Sequence, residues 1–203
     1  MKKRTTVSSR KPLTRRAVLA RAKKIRMILM DVDGVLTDGR ILLFDNHREI
    51  KSFDVKDGVA IHLARRAGLL TGVITGRSSE AVRLRAQELK LDEVHQNALD
   101  KLPVYRKILA KHSLSDEEVC YMGDDWVDIP ILRRVGFAVV PSDADPEAKK
   151  QAHLQTRSAG GRGAVRETVD IILRAQGKRD SILSQYLGRP VDGTGRKRAG
   201  GTR

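Results

Sequence analysis

Aromatic side chains are scarce in this sequence: three Phe, three Tyr and one Trp, 3% of 203 residues. A surface so poor in rings offers almost no stacking platform for single-stranded nucleic acid. Cysteine is scarcer still, and Cys120, standing alone, cannot form an internal disulfide. A reducing cytosol suits such a chain. No apolar run approaches the ~20 residues that span a bilayer, and the basic N-terminus is not followed by the apolar core of about 7–15 residues that marks a secretory signal. A soluble, cytoplasmic protein without a membrane partner is expected.

Basic charge is abundant: 40 Lys and Arg against 25 Asp and Glu, a net +15. Its position matters more than its total. Eleven of those cations and no acid fall in 1–26, and seven with two acids in 178–203, which leaves 27–177 one charge to the acidic side of neutral. The pattern reads as a basic, disordered tail over 1–24, an enzyme-like domain over 25–177 and a second basic tail over 178–203. Nucleic-acid binding is therefore not expected as the main function.

Hydrophobic periodicity orders the middle of the chain. Ile25 to Met30 is a short buried strand that runs straight into Asp31-Val32-Asp33-Gly34. Residues 39–54 read as a hairpin around an Asp45-Asn46 turn. A helix follows Asp57 and stops at Gly68, and Leu69 to Thr75 is the next strand. Helices over 78–90 and 100–111 flank a short strand at Val94. Ser115 and Glu118 have capping-box spacing, yet the apolar run Val119 to Met122 directly after them favours strand. A helix near 128–135, a strand at 136–140, a helix after Asp145-Pro146 and a last helix over 163–176 complete the pattern. Strands alternating with helices predict an α/β fold, a doubly wound, Rossmann-like parallel sheet.

In such a sheet ligands bind beyond the carboxyl ends of the strands. Asp31, Asp33, Thr75, Asp124 and Asp125 all fall at such ends, and Lys101 opens a helix just after a short strand. One Asp after a strand is ordinarily a turn former or helix cap. Several converging on one crevice repel one another unless a cation neutralises them, and an all-oxygen site selects a hard ion such as Mg²⁺. Thr75 and Lys101 add the donor and positive charge that a phosphoryl oxygen requires.

Four ordered stretches, Asp31 to Gly39 (Asp-Val-Asp-Gly-Val-Leu-Thr-Asp-Gly), Ile74-Thr75-Gly76-Arg77, Lys101, and Gly123-Asp124-Asp125-Trp126-Val127-Asp128, resemble the four motifs of the haloacid dehalogenase superfamily. With Val55-Lys56-Asp57-Gly58 and Gly160 to Glu167 (Gly-Gly-Arg-Gly-Ala-Val-Arg-Glu), they resemble its branch of capless sugar-acid phosphatases that act on 3-deoxy-D-manno-octulosonate 8-phosphate in lipopolysaccharide precursor synthesis. A related nine-carbon nonulosonate 9-phosphate is the alternative substrate. The resemblance implies Asp31 as nucleophile, Asp33 as general acid and base, and Lys101 as charge shield. It implies a magnesium ion on the Asp31 carboxylate, the Asp33 carbonyl and Asp124, with Asp125 and Asp128 orienting a water and Lys101. Substrate contacts carry over onto Asp33, Asp54, Val55, Lys56, Asp57, Gly58, Thr75, Gly76, Arg77, Arg85 and Lys101. His62 stands where related enzymes present a longer basic side chain, and is either a substrate contact or a partly buried helix residue. From spacing alone, Gly160 to Gly163 reads as a flexible turn, whereas the resemblance places it at the site.

Two other classes answer less of the sequence. A phosphoacceptor signalling domain also places Asp, Thr, Lys and Mg²⁺ on a doubly wound sheet, but its acidic pair precedes the phosphorylated Asp, the reverse of the order here. A nucleic-acid binder would make the basic tails the point and leave the motifs unexplained. The stretches between Asp31 and Thr75 and between Thr75 and Lys101 hold only the hairpin, two helices and a short strand, so no separate cap domain fits. The resemblance implies a homotetramer that closes each site, with Arg85 reaching a neighbour's substrate.

Overall fold

A computed structural model of the chain describes residues 13–44 and 49–188. Its centre is a six-stranded parallel sheet in the order β5-β4-β1-β6-β7-β8, with β1 Met27–Met30, β4 Leu70–Ile74, β5 Glu93–His95, β6 Val119–Met122, β7 Phe137–Val140 and β8 Leu154–Gln155. The doubly wound α/β fold is as the alternation of strands and helices predicts. The two edge strands are only three and two residues long, which leaves little unpaired backbone for edge-to-edge association.

β1 and β6 are buried along their whole length because both faces of the sheet are covered. Alternate residues serve different cores. Ile28, Met30, Cys120, Met122, Phe137 and Val139 pack with α2 (Val55–Arg66) and α7 (Ala164–Ala175). Met27, Leu29, Val119, Tyr121, Ala138 and Val140 pack on the other face, where α4 (Lys101–His112) contributes Tyr105 and Ile108. The strand order reverses at β1, which pairs with β4 on one side and β6 on the other. Ligands bind at such a switch point. A separate antiparallel ribbon, β2 Leu42–Leu43 with β3 Glu49–Ile50, supplies the expected hairpin; the Asp45-Asn46 turn lies outside the described residues. Among the described residues no helix is long and apolar enough to cross a membrane.

Four local readings are corrected. Residues 15–22, assigned to a disordered tail, form α1 (Arg15–Ala22), capped by Thr14, whose side chain accepts from the Ala17 N–H. Its polar faces carry the charge that suggested solvation, while Val18 and Ala22, one turn apart, are buried in the core. Residues 179–186 likewise form α8 (Arg179–Tyr186), anchored by Ile182. The Ser115–Glu118 capping box exists beside the strand rather than instead of it: Glu118 accepts from the Ser115 N–H at 2.9 Å across one 3₁₀ turn. The helix expected near 128–135 is a 3₁₀ turn, Trp126–Asp128, continued by α5 (Ile129–Leu132). The remaining short helices are α3 (Glu80–Leu89) and α6 (Pro146–Lys149).

Because α1 buries Val18 and Ala22, truncation through residue 22 is expected to cost about 2–3 kcal/mol of stability. Urea denaturation of the truncated and full chains measures it; an unchanged midpoint would show that α1 contributes no packing.

Candidate active site

Asp31 leaves the end of β1 with its N–H donating to the Met122 carbonyl of β6 at 2.9 Å. The nucleophile candidate is thus fixed at the switch point by main chain. The loop that follows turns back through Gly34, at φ +85°, where a Cβ would fall 2.1 Å from Asp124 Oδ2. No side chain fits there, and the absence of one lets the loop press against Asp124. Gly160 presses from the opposite side: its added Cβ would meet the Gly34 carbonyl oxygen at 1.8 Å, and the Gly161 N–H donates to Val35 O at 2.9 Å. The Gly160 stretch is therefore a packed support of the cleft, as the resemblance implies and spacing alone does not.

Asp128 organises the floor. It is fully buried, and its Oδ1 accepts from Lys101 Nζ at 2.7 Å and from the Tyr121 hydroxyl at 2.6 Å. Oδ2 accepts from the backbone N–H groups of Asp124 at 2.9 Å and Asp125 at 3.3 Å. Lys101, at the first turn of α4, reaches across to Asp31 Oδ1 at 2.9 Å. One buried cation is thereby shared between two carboxylates, and its own charged form is favoured by both.

Asp31, Asp124 and Asp128 each bring an oxygen within 4.8 Å of the others. Those of Asp128 are already taken by Lys101, Tyr121 and the backbone, which leaves Asp31 and Asp124 to meet a cation. Asp124 Oδ1 is buried without a hydrogen-bond partner, an arrangement that is costly unless a ligand completes it. Burial, then the charge of Asp128, pushes the Asp31 carboxyl up to about 7 despite Lys101. Burial, then Asp128 and Asp31, pushes Asp124 up to about 8. Hard oxygen donors with unrelieved negative charge fit Mg²⁺.

The cleft encloses about 310 Å³ and is lined by Asp31, Asp33, Thr75, Gly76, Arg77, Lys101, Asp124 and Asp125, together with apolar Leu99 and Val127. Thr75, buried at the end of β4, is held by its N–H to His95 O at 2.9 Å. Asp125 also caps the 3₁₀ turn, accepting from the Trp126 N–H at 2.6 Å. The predicted catalytic and metal residues are thus brought together.

The predicted substrate contacts divide. Asp54, Val55 and Lys56 line a neighbouring hollow with Arg162, where Asp54 caps α2 by accepting from the Lys56 N–H at 2.6 Å. The Asp57 carboxylate is buried and caps α7, accepting from Gly163 N–H at 3.2 Å and Arg166 N–H at 2.8 Å. It therefore joins the starts of α2 and α7 rather than facing the cleft. Gly58 is buried beneath Arg85, whose guanidinium stands where a Cβ would be. Arg85 pairs with Glu88 at 2.8 Å and stacks 5.7 Å from the Phe53 ring centre, outside this chain's own cleft. His62 is exposed on α2, likewise outside it. Sequence reasoning missed Lys51, Glu49 and Tyr121. Lys51 and Glu49 reach the cleft only through the pairing of β2 with β3, and Tyr121 reads as an ordinary core residue of β6.

The raised carboxyl groups set a pH dependence. Folded pKa values above the unfolded ones mean that the native state binds more protons, so this contribution is full below about pH 4 and is lost as pH rises through 7 to 8. In chelator the melting temperature of Asp124→Asn relative to wild type is expected to climb over that window, and added Mg²⁺ to stabilise wild type but not the variant. Parallel pH curves, or an equal response to Mg²⁺, would separate Asp124 from the cation.

The sequence signature of haloacid dehalogenase-like hydrolases matches residues 93–167. The 3-deoxy-D-manno-octulosonate 8-phosphate phosphatase KdsC of Escherichia coli K12 is 41% identical over 170 residues, 84% of this chain and 90% of that protein. The crystal structure of the corresponding phosphatase from Yersinia pestis superposes with a TM-score of 0.80 at 40% identity, covering 81% of this chain and 89% of its own. That from Moraxella catarrhalis, solved with magnesium, phosphate and KDO, superposes with a TM-score of 0.82 at 33% identity, covering 83% and 97%. The chain belongs to the haloacid dehalogenase-like hydrolases, within the family of 3-deoxy-D-manno-octulosonate 8-phosphate phosphatases.

Proposed function

We propose that this chain is a cytoplasmic, magnesium-dependent phosphatase that hydrolyses 3-deoxy-D-manno-octulosonate 8-phosphate to the sugar acid and phosphate, a step in lipopolysaccharide precursor synthesis. The observation that carries the reading is Asp31, fixed at the switch point with Lys101 2.9 Å from its Oδ1 and Asp33 two residues on in the same cleft.

Asp31 attacks phosphorus, forming an aspartyl phosphate as the ester bond breaks, and water then cleaves that intermediate. Asp33 protonates the departing sugar oxygen and later takes the proton of the attacking water. The Asp31 carboxylate, the Asp33 carbonyl and Asp124 would hold magnesium, which when bound would neutralise phosphoryl charge. Lys101, kept in place by Asp128, shields Asp31 from the incoming anion, while Thr75 and the Gly76 backbone bond phosphate oxygens. Arg77, at the cleft rim, grips the substrate carboxylate.

The cleft is open above, and the hairpin beside it exposes Ile41, Leu42, Leu43, Phe44 and Ile50. Apolar surface of that extent suits packing against other copies, which supports a homotetramer in which Arg85 serves a neighbour's site.

Asp31→Asn is expected to abolish phosphate release, since an amide neither attacks phosphorus nor binds the cation well. Asp33→Asn should slow release by about 10²–10⁴-fold. A phosphate-release screen over octulosonate 8-phosphate, nonulosonate 9-phosphate and simpler esters checks both; a tenth of wild-type rate in Asp31→Asn would end the covalent mechanism. Light scattering should give a tetramer, and Asp31→Asn chains reassembled with Arg85→Ala chains should regain partial activity. A fully active monomer would refute the shared site.

A further inference from the structure

The hairpin delivers one side chain to the cleft for which the chemistry above has no use. Lys51 directly follows β3, its side chain is 1% exposed, and its ammonium bonds Asp33 Oδ1 while lying 2.9 Å from Glu49 Oε1. Glu49 Oε1 also accepts from Arg77 Nη2 at 3.2 Å, and Arg77 Nε stands 3.7 Å from Asp33 Oδ2. Asp33, Lys51, Glu49 and Arg77 thus close a ring of alternating charge that ties the hairpin to the cleft. A buried ammonium is tolerable only when paired in this way.

The ring treats the two oxygens of Asp33 differently. Oδ1 is bonded by Lys51, with Thr37 Oγ1 a further 3.5 Å away. Oδ2 is buried and makes no hydrogen bond. A carboxyl group that transfers a proton needs one oxygen anchored and the other available at a fixed place.

We propose that Lys51 is a positioning residue for proton transfer: by holding Asp33 Oδ1 it presents Oδ2 to the ester oxygen of the substrate. The inference rests on the reading of Asp33 as general acid and base. As the phosphorus–ester oxygen bond breaks and the Asp31–phosphorus bond forms, the proton passes from Asp33 Oδ2 to the departing oxygen. In the second half a water gives its proton to the same Oδ2 while its oxygen bonds phosphorus and the Asp31–phosphorus bond breaks. Glu49 balances the charge of Lys51, and the hairpin must be seated for the acid to be aimed.

The test compares two leaving groups, p-nitrophenolate, which departs without a proton, and the sugar alkoxide of octulosonate 8-phosphate, which requires one. Lys51→Met is expected to lower kcat about 10²-fold on the sugar ester with KM within about threefold, but less than about tenfold on p-nitrophenyl phosphate. Asp33→Asn should show the same selectivity more strongly, and Lys51→Arg should restore most of the lost kcat. Equal losses on both esters, a rise in KM with kcat unchanged, or no recovery in Lys51→Arg would overturn the proposal. A selective Asp33→Asn beside an unselective Lys51→Met sinks the role of Lys51 alone. An unselective Asp33→Asn sinks the acid assignment and the role of Lys51 with it.

Discussion

The cleft depends on one buried interaction, the ammonium of Lys101 shared between Asp31 and Asp128. Three charges with side chains at most 9% exposed would be costly if any were left single, so each fixes the others. Asp128 is the least free of them, bonded also by Tyr121 and by the main chain of Asp124 and Asp125. Through it the end of β6, the start of α4 and the end of β1 are held in one geometry. Gly123 belongs to the same constraint, since a Cβ there would lie 2.4 Å from the Asp128 side chain.

That geometry separates the carboxylates by task. Asp128 has no free lone pair aimed at the cleft and serves as an internal counter-ion. Asp31 and Asp124 are the pair whose ionised forms are disfavoured without a cation. Asp33, farther toward the hairpin, is surrounded instead by side-chain cations. Four carboxylates close in space thus meet three environments, an arrangement suited to distinct chemical tasks within one cleft.

Much of this was legible in the sequence because it is local to strand ends. Asp31, Thr75 and Asp124 each lie at the end of an apolar run, Lys101 opens the helix after β5, and the parallel topology implied by alternation brings such ends together. What was not legible depends on contacts between distant segments. Asp57 shares a motif with Lys56 and Gly58, yet its oxygens are used by the start of α7 more than a hundred residues later. Lys51 sits between Ile50 and Ser52 in an exposed-looking hairpin and gains its place only when that hairpin folds over Asp33. The helical character of α1 was hidden by its charge, because the two residues that anchor it need α7 as partner. The capping box before β6 shows that two local signals can both be right when one turn separates them.

The close contact between Gly34 and Gly160 has a consequence for how such an enzyme can vary. Where Gly160 meets Gly34 the support of the cleft is main chain against main chain, with no side chain that could be lengthened or shortened. Val55, Lys56 and His62 stand apart from that packing on exposed surface, where exchange of a residue costs little. The loop behind Asp31 is accordingly locked into the scaffold while the surface around Val55, Lys56 and His62 is replaceable, and a lineage could remodel that surface without disturbing the strand ends.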